Sequence, residues 1–538
     1  MKKIFAISAV ALIAASTLMT GCNKDKEQVF QLNPPEFNGL EKTTLNGNQT
    51  YWANGDVLDI NGVRGTVSTA AQTSTVTLNG TVTAVNNLFY SFYGGRATNV
   101  QYNGNNGYSY TMPSSYTYYA GELKVPMAGS CLDNERTIQF SNICTVLKLD
   151  FVVIPNQVVI TSESTALTGD FTATYDGSSW TVTPPAATSS NKTITINNPN
   201  YASTIYVPLP AGTHKLTITG KTFTIPMKSA QNMQKGYIYP LTCAHKFTVN
   251  TTHNATNTGY VYFSPGNFQY YNTSNYSLTN QGRNANQDAS YHTYARFANN
   301  QWDRVQGANI SSNGRPATGG TWIDLFGWGT GFIPGYNYFA HNGGSGVIAY
   351  DDFNDWGSYY SIHVNSTSHC TGSWFTMSDD QWRVLLNITN NSARNGLSCM
   401  GTVNGVRGLI IAPDNYNTLR NLTGAASLSM GMTITITDWT NKYQKLGVVF
   451  LPGDCGYASY WTGYVDSFQY ESGMTGYWTS HENGAGDRYA DFLKFPQNTS
   501  SMPTISNERL SRSTVGTLAG NKIARLSVRL VQSAPYNN

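Results

Sequence analysis

Charge is scarce in this 538-residue chain: Asp, Glu, Lys and Arg together make up 12% of it, about half the usual share. The net charge of +3 leaves no basic face for a phosphate backbone, which excludes nucleic acid as a partner. No stretch after residue 19 has the roughly 18 consecutive apolar residues that a membrane-spanning helix needs. The seven cysteines contain no CxxC pair and no Cys/His spacing of a zinc site. No G-x-S-x-G nucleophile elbow occurs. Helical periodicity is almost missing before residue 259.

Polarity comes instead from Asn, Thr and Ser, with 50 Gly and 35 Tyr, a composition that favours strands joined by many turns. Lys2 and Lys3 precede an apolar run from Ile4 to Met19, and Leu18-Met19-Thr20-Gly21-Cys22 follows. A basic start, a short apolar core and small residues at the cut predict a signal peptide over 1–21. The last five residues resemble a bacterial lipobox, which implies a lipoprotein with a diacylated Cys22, held in the outer membrane by lipid rather than spanning it. Loss of Lys2 and Lys3 leaves 31 basic against 30 acidic residues, near +1. Residues 22–45, with Asp25, Glu27 and Pro34-Pro35, read as a lipidated tether. Acidic residues soon after such a cysteine resemble the surface-export signal of Bacteroidetes lipoproteins.

At about 150 residues per domain the length has room for three, but the pattern divides it in two. From 46 to 243, Thr75-Val76-Thr77-Leu78, Thr193-Ile194-Thr195-Ile196, Lys215-Leu216-Thr217-Ile218 and Thr222-Phe223-Thr224-Ile225 alternate with period two, and turn residues recur every ten or so positions. That predicts an all-β sandwich. Trp52-Ala53-Asn54-Gly55-Asp56-Val57-Leu58, Tyr206-Val207-Pro208-Leu209-Pro210 and Lys235-Gly236-Tyr237-Ile238-Tyr239 resemble, in that order, segments of the fimbrillin family. Trp52 and Val57 are expected in the core, with Gly55-Asp56 a turn.

Residues 244–258 read as a solvated linker, His245 and His253 included. From 259 to 538 helices enter. Ser378-Asp379-Asp380-Gln381 is a capping box before Trp382, Val384, Leu385 and Leu386. Thr437-Asp438-Trp439 opens a second helix that stops at Gly447. Ala524, Leu526, Val528 and Leu530 alternate with Arg525, Ser527 and Arg529, predicting a last strand with a polar outer face. Phe263-Ser264-Pro265-Gly266-Asn267-Phe268-Gln269, Ile323 to Thr330, Val403 to Gly408, Tyr477-Trp478-Thr479-Ser480 and Leu526 to Val531 resemble a secreted Bacteroidetes group of the C-type lectin-like fold. The resemblance implies that Tyr260 to Phe263 pairs with Leu526 to Val531. The expected fold class is mainly β with an α+β C-terminal part: a fimbrillin-like β-sandwich followed by a C-type lectin-like domain.

No catalytic residue is assigned, and the chain is read as a non-enzyme. The sulfatase-activating oxidases of the lectin-like fold use paired late cysteines, and Cys455 has no near partner in sequence. The six cysteines after Cys22 allow fifteen pairings; buried thiols packed as small hydrophobes are the simpler reading. His481 and Glu482 lie in Ser480-His481-Glu482-Asn483-Gly484, read as a hairpin tip. No cofactor is assigned. Asp351, Asp352 and Asp355 offer hard oxygens to calcium, but turn capping before Trp356-Gly357 is the favoured reading, and the calcium triplets E-P-N, Q-P-D and W-N-D are absent. Binding residues are expected on loops held by a rigid base: Tyr477, Trp478, His481, Glu482, Asn483, Asp487, Arg488, Tyr489 and Asp491, then Asn507, Glu508, Arg509 and Arg512. The expected function is adhesion at a cell surface or pilus tip, with a host or bacterial glycan or protein as partner and pilus subunits as neighbours. The alternative is a glycan-binding surface lipoprotein for nutrient capture outside a pilus.

Overall fold

The structure, a computed structural model, describes residues 28–33, 38–39, 52–70, 73–120, 122–250, 258–272, 295–303, 321–323, 355–359, 373–388, 394–453, 456–462, 465–469, 476–482, 490–496, 498–506 and 525–534. Cys22, His253, Cys370 and Cys455 lie outside them, as does the run from Asp324 to Thr330. The described chain is mainly β, and its helices fall in the second half.

Period-two burial builds the first half. Seven strands close into a barrel in the order Val29–Asn33, Thr137–Asn142, Met127–Leu132, Leu88–Tyr93, Val57–Ile60, Val63–Ala70 and Thr73–Leu78. The first and last pair antiparallel to complete the circuit, with Phe30 opposite Val76. Phe30, Leu32, Val67, Val76 and Leu78 fill the interior. The reading of 22–45 as a tether is therefore corrected. Phe30 and Leu32 alternate inward along Val29–Asn33, and barrel closure gives that strand hydrogen-bonded partners on both edges, leaving no open edge. Asn38–Gly39 also pairs, parallel to Tyr237–Ile238.

Trp52 meets Tyr93 and Phe140 edge-on at 5.1 and 4.9 Å. Gly55 has φ +93°, and the Ala53 N–H donates to Asp56 Oδ2 at 2.8 Å, which is the expected turn. Val57 is the exception: it is 53% exposed while Leu58 is buried. The turn sets the strand's phase one residue later than the sequence reading placed it, so Leu58 and Ile60 take the inward positions.

Beside the barrel, Cys144–Phe151 runs between Thr204–Pro210, antiparallel, and Tyr237–Cys243, parallel. Val146 joins the barrel core, while Leu147 and Leu149 join a second core with Ile160, Ile194, Val207 and Ile218. A third core sits where Tyr90, Phe92 and Ala128, on the barrel's outer face, meet Tyr108, Phe171 and Trp180. The first half is thus a set of stacked sheets, one of them closed.

The solvated-linker reading is corrected as well. Phe247–Asn250 is a strand paired with Thr258–Phe263, and Phe247 and Val249 point into the C-terminal core. Residues 251–257 lie outside the described chain. His245 is buried. Thr258–Phe263 pairs antiparallel with Leu530–Ala534, Phe263 opposite Val531; the final strand does lie beside it, but Tyr260–Phe263 faces Val531–Ala534 rather than Leu526–Val531, and Leu526 pairs with Gly456. The final segment does not expose a polar face: Ser527 and Arg529 are as buried as Val528 and Leu530. Between Arg525–Leu526 and Leu530–Ala534 the ladder narrows to a parallel bridge of Ser527 with Tyr477, and the Val528 carbonyl accepts the Phe268 N–H, so the segment is enclosed.

A four-stranded sheet divides the second half into two cores. Along Ser398–Val403, Val406–Ile411 and Val449–Pro452, Met400, Leu409, Ile411, Val449 and Leu451 face one core. Cys399, Val403, Ile410 and Phe450 face the other. Asn404 and Gly405, at φ 50° and 76°, make the two-residue turn of the hairpin. Helix Asp379–Leu385 packs Trp382 and Leu385 on the first side; its capping box is formed, with the Ser378 N–H donating to Gln381 Oε1 and the Gln381 N–H to Ser378 Oγ. The second core takes Tyr416 and Leu419 from the amphipathic helix Tyr416–Thr423, which the sequence pattern does not single out. It also takes Trp439, Tyr443 and Leu446. The segment carrying them starts one turn-position earlier than the sequence suggested, because Thr435 Oγ1 caps the Asp438 N–H. It runs α, then π over Trp439–Tyr443, then 3-10 to Leu446.

Gly447 ends that helix at φ +73°, and a Cβ there would lie 2.3–2.6 Å from His245 side-chain atoms. Gly447→Ala should cost about 2–3 kcal/mol, from left-handed strain plus displacement of the His245 ring. Urea unfolding checks this; a loss below 0.5 kcal/mol would show that the two halves do not pack through this contact. Cys131, Cys144, Cys243 and Cys399 are buried free thiols, in keeping with the small-hydrophobe reading.

Candidate functional site

Strands Gly476–Glu482 and Ala490–Lys494 pair antiparallel, but the register shifts between Trp478 and Glu482. Trp478 faces Phe492 and Glu482 faces Ala490, so Thr479, Ser480 and His481 share the space opposite Asp491. Such a bulge bends the strand and re-aims a side chain. Thr479 Oγ1 holds it, donating to the Asp491 carbonyl at 2.8 Å and accepting the His481 N–H at 3.2 Å. The Ser480 N–H donates to the Met377 carbonyl, tying the bulge to the residue before the capping box.

The result is a three-residue cluster. His481 Nδ1 lies 2.7 Å from Asp491 Oδ2 and 3.5 Å from Asp379 Oδ1. One nitrogen or oxygen from each residue falls within 4.8 Å of the others. Asp379 and Asp491 are each 6% exposed, and the His481 side chain is 31% exposed, so the cluster opens to solvent on the histidine side. Asp379 Oδ2 is turned toward Arg383 Nε at 3.6 Å, which leaves Oδ1 facing the imidazole.

Of the residues expected to bind, the structure brings His481 and Asp491 together and adds Asp379, read from the sequence only as part of a cap. The hairpin-tip reading of His481 is corrected, since the strand continues through Glu482. Tyr477 and Trp478 do not reach the surface. Trp478 stacks edge-on to Phe492. The Tyr477 hydroxyl donates to Asn267 Oδ1 at 3.0 Å, where the buried Arg529 guanidinium also donates at 3.3 Å. Burial pushes Arg529 down to about 10. These two aromatics are structural anchors. The side chain of Glu482 lies outside the described residues, with Asn483, Asp487, Arg488, Tyr489, Asn507, Glu508, Arg509 and Arg512. Asp351 and Asp352 also lie outside. Asp355 Oδ1 accepts the Gly357 N–H at 3.1 Å and the Thr376 N–H at 2.7 Å, the turn-capping role.

No protein-family model matches the chain, and no curated protein matches it. Solved structures similar to this chain include the following. A protein provisionally named for cell adhesion from Bacteroides ovatus is 11% identical, with 44% of this chain and 96% of that one covered and a TM-score of 0.26. One so named from Bacteroides uniformis is 15% identical over 40% and 93%, TM-score 0.25. A fimbrial protein from Bacteroides ovatus is 10% identical over 94% and 99%, TM-score 0.19.

Proposed function

We propose that this chain is a surface adhesin: a lipid-anchored, fimbrillin-like β scaffold that carries a C-terminal, lectin-like module and binds a host or bacterial ligand without transforming it. The observation that carries the reading is the pairing of Thr258–Phe263 with Leu530–Ala534. The chain enters the second module through Phe247–Asn250 and Thr258–Phe263 and leaves it on Leu530–Ala534, all three in one sheet, which supports a base from which binding loops are carried. That is how binding loops are mounted on rigid supports. The near-neutral, Tyr- and Asn-rich composition suits a contact made by hydrogen bonding and stacking, with little electrostatic steering.

Arrayed glycans and surface proteins, probed with the fluorescently labelled chain 23–538, test it. Saturable capture by a defined ligand class that is recovered chemically unchanged is the expected result. Turnover of a captured ligand would replace this reading with an enzyme.

A further inference from the structure

We infer that Asp379, His481 and Asp491 form a binding site for a first-row divalent transition metal, Zn²⁺ being the best fit. Three residues from two strands and a helix, 112 positions apart in sequence, deliver an imidazole nitrogen and two carboxylates to one point. Metal–ligand distances of about 2.0–2.2 Å, at angles of about 90–110°, set neighbouring donor atoms roughly 2.9–3.4 Å apart. The observed separations from the imidazole nitrogen, 2.7 and 3.5 Å, bracket that range, and all three donor atoms lie within 4.8 Å of one another.

Charge points the same way. Two carboxylates nine-tenths buried that face one imidazole nitrogen favour positive charge at that point. One nitrogen with two oxygens selects zinc or its first-row neighbours over calcium, which takes six to eight oxygens at about 2.3–2.6 Å. The second sphere is present too: the Thr479 hydroxyl fixes both the Asp491 backbone and the His481 backbone, holding the donors in place. The metal would pin the base of the strand pair to the capped helix.

The untagged chain 23–538, stripped with chelator, is titrated with Zn²⁺ against a chromogenic competitor. One equivalent should bind at micromolar Kd or tighter. Zinc at a hundredfold excess over Kd should raise Tm by about 2–3 °C. His481→Gln, which keeps a hydrogen bond to Asp491, and Asp379→Asn should each weaken binding at least tenfold with the far-UV circular dichroism intact. Should a variant lose its fold, the wild-type stoichiometry and its preference for zinc over calcium decide the matter. Absence of micromolar binding, zinc affinity unchanged in both variants, or a preference for calcium would each overturn the site, and the cluster would then be a His–carboxylate hydrogen-bonded pair.

Discussion

Asp414→Ala should destabilise the protein by about 3–5 kcal/mol, the cost of leaving a buried charge without its partner. The Arg394 side chain is fully buried, and its Nη1 sits 2.5 Å from Asp414 Oδ1. Its other nitrogens donate to the Ala412 and Leu385 carbonyls, neither of which neutralises it. Burial lowers the guanidinium's proton affinity and Asp414 partly restores it. The same carboxylate accepts the Thr248 N–H and hydroxyl at 3.1 and 2.8 Å, so it also pins the strand that begins the second module. The reverse change is milder. Arg394→Met removes the buried charge and leaves Asp414, 30% exposed, in reach of water and Thr248. Urea unfolding of the two variants should separate them by at least 1.5 kcal/mol, Asp414→Ala being the weaker. Equal losses would mean that packing around Arg394, and not its charge, matters.

Acid should weaken the fold well above the carboxylate range. Burial holds His245 down at about 4, against about 6.5 in the unfolded chain. The unfolded state therefore binds more protons between those values, and stability falls as pH drops from about 6.5 towards 4. The loss attributable to His245 is about 2 kcal/mol at pH 5 and about 3 kcal/mol once both states are protonated. His214, buried with Nε2 2.7 Å from the Pro210 carbonyl, is lowered by burial in the same direction. Chemical denaturation at pH 7 and pH 5 reads this directly. His245→Gln should remove about 2 kcal/mol of the difference; an unchanged pH slope would place His245 in contact with water. Because the His245 ring lies against Gly447, the effect loosens the join between the two halves.

Where the physics is local, the sequence is legible. Ser378 and Gln381 cap the helix they were expected to cap, Gly447 stops its helix, and Ile194/Ile196 and Leu216/Ile218 alternate into one core. Features that depend on tertiary closure were not legible. Val29–Asn33 is five residues beside charged and proline-rich neighbours, and only the barrel makes it a strand. Val57 and Leu58 are equally apolar, so the sequence cannot say which faces inward until the turn fixes the phase. Arg529 looks like an outward residue because its neighbours alternate, yet its nitrogens find Asn267 and Gln301 inside. The meeting of Asp379, His481 and Asp491 rests on a bulge held by one threonine hydroxyl, and a bulge carries no composition signature of its own.

Equilibrium binding to the array-identified ligand, measured for paired variants of the whole chain, tests the adhesin reading most directly. Arg488→Ala with Tyr489→Ala, in the connection between the bulged strands, should weaken binding at least tenfold. Val57→Ser with Tyr119→Ser, which alters exposed apolar residues of the scaffold, should leave it unchanged. The opposite pattern, with ligand lost through the scaffold pair and retained by the other, would contradict the assignment of binding to the C-terminal module.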